Sequence, residues 1–278
     1  MSLLDNEDIL LDPERDKFII ENWIKKNYVI KGALKINDDY TADCFGSVAV
    51  KNKNITSLTN GLFRWGKVDG TFECVCCNKL ESLEGAPEEV KDNFDCFRCE
   101  NLKSLEGAPE RAGGRFSCAC CERLKSLKGA PKGVGSDFIC YNCKNLKSLE
   151  GAPKKIGGGF HCSECENLES LKGAPEKVDG CFCCYGCKNL TTLEGAPKKI
   201  GGGFYCSECE NLKSLKGAPE KVGGEFDCSN CFKLTDISRL PKKVRNIILN
   251  GCIGLSDQRD KIIELIKTYD NRIEVIWK

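Results

Sequence analysis

No stretch of about 18 consecutive apolar residues occurs in this 278-residue chain, so it contains no candidate membrane-spanning helix. Charge of one sign is also lacking. Forty-two Lys and Arg against 41 Asp and Glu leave a formal net charge of +1, with no overall electrostatic footprint for nucleic acid or an anionic membrane. The opening residues, MSLLDNEDILLDPERDK, lack the basic and apolar regions of a secretory signal. No nucleophile–base arrangement, phosphate loop or paired-carboxylate motif is visible. The Gly-Gly-Gly runs at 157–159 and 201–203 lack the spacing of a phosphate-binding loop and read as turns. Histidine occurs once, at His161. These absences argue against an enzyme, a membrane protein and a nucleic-acid-binding protein.

Cysteine, by contrast, is abundant: the chain has 22. Without a secretory signal these belong in a reducing cytoplasm, where persistent disulfides are unusual. Sixteen of them form Cys-x-x-Cys pairs: Cys74/Cys77, Cys96/Cys99, Cys118/Cys121, Cys140/Cys143, Cys162/Cys165, Cys184/Cys187, Cys206/Cys209 and Cys228/Cys231. The pairs recur every 22 residues without a slip. A fixed period of this length marks a solenoid, in which each supersecondary unit buries its apolar face against its neighbours.

Aligned on the pairs, the repeat reads F-x-C-x-x-C-x-x-L-x-S-L-x-G-A-P-x-x-V-x-G-x. Phe and the first Cys are two residues apart, so on a strand they point to the same side and their neighbours to the other. A unit holding a short strand, a Leu-x-x-Leu turn and a Gly-Ala-Pro segment leaves no room for an ordinary helix. Proline fixes φ and removes an amide donor, which suits an extended return path. The chain thus divides into an N-terminal helix and strand cap (1–45), an irregular first coil (46–71), eight regular repeats (72–247), and a last coil with a C-terminal helix and strand (248–278).

In the first coil, Ala49 and Asn52 fall where the cysteines would be, and Asn250 falls near such a position in the last. The N-terminal helix is expected over Pro13–Lys26, with Phe18, Ile19, Trp23 and Ile24 as its apolar stripe, followed by a strand at Tyr28–Ile36. The C-terminal helix is expected over Gln258–Tyr269, capped by Ser256 or Asp257 and packed through Ile262, Ile263, Leu265 and Ile266. A short closing strand is expected at Ile273–Trp277.

The repeat resembles the leucine-rich-repeat pattern L-x-x-L-x-L-x-x-[N/C]-x-L over roughly residues 46–256. Phe takes the first strand leucine, the first Cys takes the second, and the second Cys takes the Asn/Cys ladder position. The Ser-Leu-x-Gly-Ala-Pro linker is similar to repeats of bacterial and bacteriophage proteins. The resemblance implies an α+β solenoid with a parallel sheet on its concave face, an extended convex side and helical caps. It also implies a concave surface that binds a protein partner.

Two readings of the cysteine pairs compete. In one, both columns are core, because a free thiol behaves as a small buried hydrophobe and the second column contacts neighbouring backbone. In the other, pairs on adjacent coils converge as four thiolates on Zn²⁺ or an iron–sulfur cluster. The metal reading makes the sixteen paired cysteines ligands and the protein an electron carrier or a structural metalloprotein. Against it, the pairs are expected on an extended path, not on the tight turn of a metal knuckle. Redox catalysis would need the pair to open a helix, and none is expected there.

Residues flanking the first Cys point outward. Phe97, Ile139, Tyr141, His161, Tyr185 and Tyr205 form the candidate partner-binding patch, flanked by Glu73, Asp95 and Asp227. His161 with Cys181 and Cys183 forms a weaker candidate metal or redox cluster. Cys76 and Cys120 have no evident role. The sign of the charge before Gly-Ala-Pro alternates along Glu106, Lys128, Glu150, Lys172, Glu194 and Lys216. Opposite charges stacked in this way favour the correct register, although each exposed pair contributes only about 0–1 kcal/mol.

Overall fold

In a computed structural model that describes residues 12–269 and 273–277, each 22-residue unit forms one turn of a parallel β-solenoid. Every regular coil contributes a short strand at its Phe, such as Phe138–Ile139, which pairs in parallel with Phe116–Ser117 before it and Phe160–His161 after it. A second short strand lies at the Val or Ile of the repeat, as at Lys155–Ile156 beside Gly133–Val134. Two ladders therefore run along the solenoid, the second on the return path where sequence reasoning placed only extended chain. Backbone amides reach forward one coil, as in Cys140 N–H to the His161 carbonyl at 2.8 Å and Asn142 N–H to the Ser163 carbonyl at 2.8 Å.

The core is a set of columns. The eight Phe, both cysteine columns and the leucines are buried in every regular coil, as are Val90, Val134, Val178 and their counterparts. Successive Phe rings stack 5.2–5.5 Å apart, within 14° of parallel at every step but Phe138–Phe160, which is tilted by 32°. Cross-coil ion pairs join Lys128 to Glu106 (3.2 Å), Lys172 to Glu150 (3.0 Å) and Lys216 to Glu194 (2.8 Å), in the register the alternating signs require.

Helix α1 (Pro13–Asn27) begins at Asp12, whose carboxylate accepts from the amides of Glu14 and Arg15. It buries Ile20, Ile24 and Asn27. Phe18 is 65% exposed and Ile19 37%, whereas Ile24 is buried and Trp23 half-buried against the core, so the expected stripe holds at Trp23 and Ile24 and is completed by Ile20 in place of Phe18 and Ile19. Ile20, Ile24 and Asn27 form an i, i+4, i+7 row, the face of the helix that is buried. Strands β1 (Tyr28–Ile36) and β2 (Thr41–Val50) form that antiparallel hairpin, and β2 continues across the expected cap boundary into the first coil. Trp65 packs edge-on against Phe72 and Tyr28 lies tilted against it, and together they close the ring stack.

The first coil is displaced from expectation. Val48 pairs with Phe72, which puts Val50 opposite Cys74 and leaves Ala49 beside Glu73 on the outer side. Asn52 does take the second-cysteine place. Its carbonyl accepts from Ile55 N–H as the Cys77 carbonyl accepts from Leu80 N–H. This coil is one residue shorter between the two positions. At the other end, Phe226 pairs with Ile247, so Asn250 aligns with Ser229 and Cys252 with Cys231. The last coil then runs into a 3-10 turn (Ile253–Gln258) that contains Ser256 and Asp257, so neither caps the helix. Helix α2 (Arg259–Tyr269) buries Ile262 and Ile266, while Ile263 and Leu265 are half-buried. Glu274–Ile276 closes the sheet on Asn246–Ile248. Residues 1–11, 270–272 and 278, and the parts of the expected caps that fall on them, lie outside the described residues.

Candidate functional site

Each Cys-x-x-Cys segment makes a tight turn, contrary to the extended path inferred from the sequence. The residue before the second cysteine has positive φ in all eight coils: Cys76 (57°), Arg98 (56°), Cys120 (57°), Asn142 (54°), Glu164 (57°), Gly186 (67°), Glu208 (58°) and Asn230 (57°). Cys76 and Cys120 thus occupy the left-handed position of this turn, which Asn and Gly adopt with less strain. The turn swings the second thiol back under the preceding coil. There Cys99 donates to the Cys74 carbonyl at 3.0 Å, Cys121 to that of Cys96 at 3.3 Å, and Cys143 to that of Cys118 at 3.2 Å. The series continues through Cys165, Cys187, Cys209 and Cys231, each at 3.3 Å, and ends with Cys252 on the Cys228 carbonyl at 3.0 Å. At the head of the column, the Asn52 side-chain amide donates at 2.9 Å to the side-chain oxygen of Asn27, also 25 residues back, and not to a backbone carbonyl. Cys77 is the exception, because Lys53 takes the Val50 carbonyl at 2.7 Å that would receive it.

The second column is therefore a ladder of thiol donors satisfying buried carbonyls. Burial pushes the thiols of Cys118, Cys140, Cys162 and Cys184 well above their ordinary range and so disfavours the thiolates that a metal would need. Among the described residues, no group of three or more His, Cys, Asp or Glu side chains is placed to hold an ion. This includes His161 with Cys181 and Cys183. His161 and Cys183 are neighbours on the strand ladder, but the Cys181 sulfur accepts from Gly203 N–H at 3.4 Å.

Cys140 and Cys143, one from each column, should respond differently to serine. Cys143→Ser keeps an acceptor, the Cys118 carbonyl, for its hydroxyl. Cys140→Ser buries a hydroxyl where the thiol has no partner among the described residues, and should cost about 1–3 kcal/mol more. Urea titration of the two variants measures that difference.

On the outward side of the Phe ladder, Ile139, Tyr141, His161, Ser163 and Tyr185 line one shallow depression of about 170 Å³. It spans three adjacent coils, because parallel pairing sets Ile139 beside His161 and brings Tyr141, Ser163 and Tyr185 into one row. Tyr141 (37% exposed) and Tyr185 (40%) flank Ser163, which is 2% exposed. The Ser163 hydroxyl has no hydrogen-bond partner among the described residues. A buried hydroxyl without a partner is costly, so it stands out at the floor of an aromatic depression. The structure therefore unites four of the six expected patch residues: Ile139, Tyr141, His161 and Tyr185. Phe97 lies two coils before Tyr141, beyond the side-chain-poor Ala119. Tyr205 lies beyond Cys183, and neither lines the depression. Ser163 could be placed in the row from its position in the repeat, but nothing in the sequence showed that its hydroxyl would be unpartnered.

Burial lowers the pKa of His161, with the Asp137 carboxylate opposing the shift. The folded state thus favours the neutral imidazole, while the unfolded chain takes up its proton near pH ~6.5. Stability is lost as the pH falls through that value, and His161 adds no pH dependence well above it. Thermal melts of the wild type and His161→Gln between about pH 8 and pH 5 should show the larger loss on acidification in the wild type.

The chain is thus a cysteine-laddered parallel β-solenoid with an aromatic depression on its Phe face. Comparison with known protein families, with curated proteins and with solved structures finds no match.

Proposed function

We propose that this solenoid is a non-enzymatic, leucine-rich-repeat-like scaffold that binds a protein partner through the aromatic depression on its Phe face. The observation that carries the proposal is the unpartnered Ser163 hydroxyl at the floor, between the exposed rings of Tyr141 and Tyr185. Paired aromatics on a rigid sheet supply contact area at low entropic cost, and a partner's polar group would satisfy the hydroxyl. Glu73, Asp95 and Asp227, on the same ladder toward its ends, would select against acidic partners. The thiol ladder works only with reduced cysteines, which favours a reducing compartment such as the cytoplasm.

Peptide-display selection on the folded protein, with Tyr141→Ala/Tyr185→Ala as the counter-target, tests the proposal. Selected peptides should carry an aromatic or large aliphatic anchor, and each truncation should weaken their binding by about 2 kcal/mol or more. Circular dichroism of the variant should be unchanged. Selection of peptides that bind the variant equally well would refute the proposal.

A further inference from the structure

The second ladder carries a charge pattern unlike the others. At other surface positions stacked charges mostly pair across coils, as in Lys172–Glu150 (3.0 Å), Lys188–Glu166 (3.3 Å) and Lys198–Glu176 (3.1 Å), and the longest other run of one sign is Lys103, Lys125 and Lys147. The position before the buried Val or Ile does not alternate. Lys155, Lys177, Lys199, Lys221 and Lys243 occupy it on five successive coils, and all five are exposed. Lys177, Lys199, Lys221 and Lys243 stand directly beside one another in parallel register. Only Lys177 has an ion-pair partner among the described residues, Asp179 at 2.6 Å.

Like charges placed opposite one another on a ladder are destabilising. A duplication of two-coil units does not account for the row, because the columns around it alternate within those same units. Gly157, Gly201 and Gly223 follow the ladder's Ile156, Ile200 and Val222, leaving that edge of the strip without side chains in three of the five coils, while Asp179 and Arg245 occupy it in the other two. The near-neutral net charge conceals this local concentration.

We propose that this strip binds a linear phosphodiester polyanion, the sugar–phosphate backbone of a single nucleic-acid strand. The strip is one lysine wide, which matches one strand. Its charges repeat about every 4.8 Å, the spacing of paired strands, against about 3.4 Å per phosphate along each strand of a stacked duplex. Flexible lysine stems take up the difference, and a strand that is not stacked in a duplex can extend to meet them. No aromatic side chain flanks the row to stack on a base, and the preceding positions alternate in charge along Lys154, Glu176, Lys198, Glu220 and Lys242, so the row reads charge and not base identity. An acidic polypeptide would instead need pockets for its side chains. The strip lies on the second ladder and the aromatic depression on the Phe ladder, with two or three residues between the two strands of each coil.

Fluorescence anisotropy of the full chain with labelled oligothymidylate of 20 nucleotides tests the assignment. Five contacts predict a slope of about −3.5 for log affinity against log salt, from about −0.7 per phosphate neutralised on a single strand. Affinity should then fall about 100-fold between 50 and 200 mM NaCl. Lys177→Gln/Lys199→Gln/Lys221→Gln should make the slope shallower by about 2, with thermal stability unchanged or raised because like charges are removed. The charge-matched control Lys147→Gln/Lys188→Gln/Lys213→Gln, on the segments between the second cysteine and Gly-Ala-Pro, should shift it by less than the value of one contact. From the wild-type net charge of +1, both triple variants reach 1 − 3 = −2. No binding at 50 mM NaCl, or equal slopes for the two variants, would overturn the proposal. So would strip-dependent binding of polyglutamate or phosphatidylserine vesicles without binding of the oligonucleotide.

Discussion

Replacing Phe160 with alanine should destabilise the solenoid by about 3–5 kcal/mol. Phe160 is fully buried and stacks between Phe138 at 5.3 Å and Phe182 at 5.2 Å. Removing the ring leaves a void between two rings whose positions are held by their own coils, so the site cannot collapse. The lost transfer free energy and the cavity penalty therefore add. A solenoid is coupled chiefly between neighbouring coils, so a central gap also loosens the two halves from each other. Urea denaturation followed by circular dichroism should show a lower midpoint. Hydrogen exchange should show protection lost first in the coils around residue 160. A shift below about 1 kcal/mol would mean that the ring stack adds little to the core.

Gly151→Ala should cost about 2–5 kcal/mol without removing any buried group. Gly151 has φ of 90°, a conformation that costs an L-residue about 1–2 kcal/mol. Its added methyl would also stand 2.5 Å from the Lys128 amide nitrogen and 2.6 Å from the Leu127 carbonyl carbon. These are backbone atoms of the coil below and cannot rotate away, so overpacking adds about 1–3 kcal/mol. The same close approach recurs at Gly107, Gly129 and Gly173. The glycine of Gly-Ala-Pro is thus where one coil rests on the next. Gly61→Ala, with φ of 70° but open space around the position, isolates the conformational cost alone. Thermal melts of the two variants should differ by the contact term. Equal melting temperatures would remove the stacking argument.

The regular coils were legible in the sequence because a solenoid is built from local repetition. A residue's neighbours above and below lie one period away, so the 22-residue pattern states them directly. The buried Phe, Cys and Leu columns follow from that periodicity. The ends were less legible. In α1, burial of Ile20 and exposure of Phe18 depend on which face of the helix is buried. In the first coil, one missing residue between Val50 and Asn52 moved the first-cysteine position by one.

The cysteine columns show the division most clearly. Their period, and the choice between core and ligand, could be stated from the sequence. The direction of each thiol depended on a positive-φ turn that Cys76, Arg98 and Glu164 do not announce. Likewise, the outward aromatics could be read from alternation on a strand, but Ser163 gains its significance only from the absence of a partner for its hydroxyl. The sequence alone determined the solenoid, its period and its core columns, because stacking converts sequence spacing into spatial contact. The tertiary structure decided which outward residues share a depression, where each thiol points and which charges line up, because these depend on backbone turns and on the packing of one coil against the next.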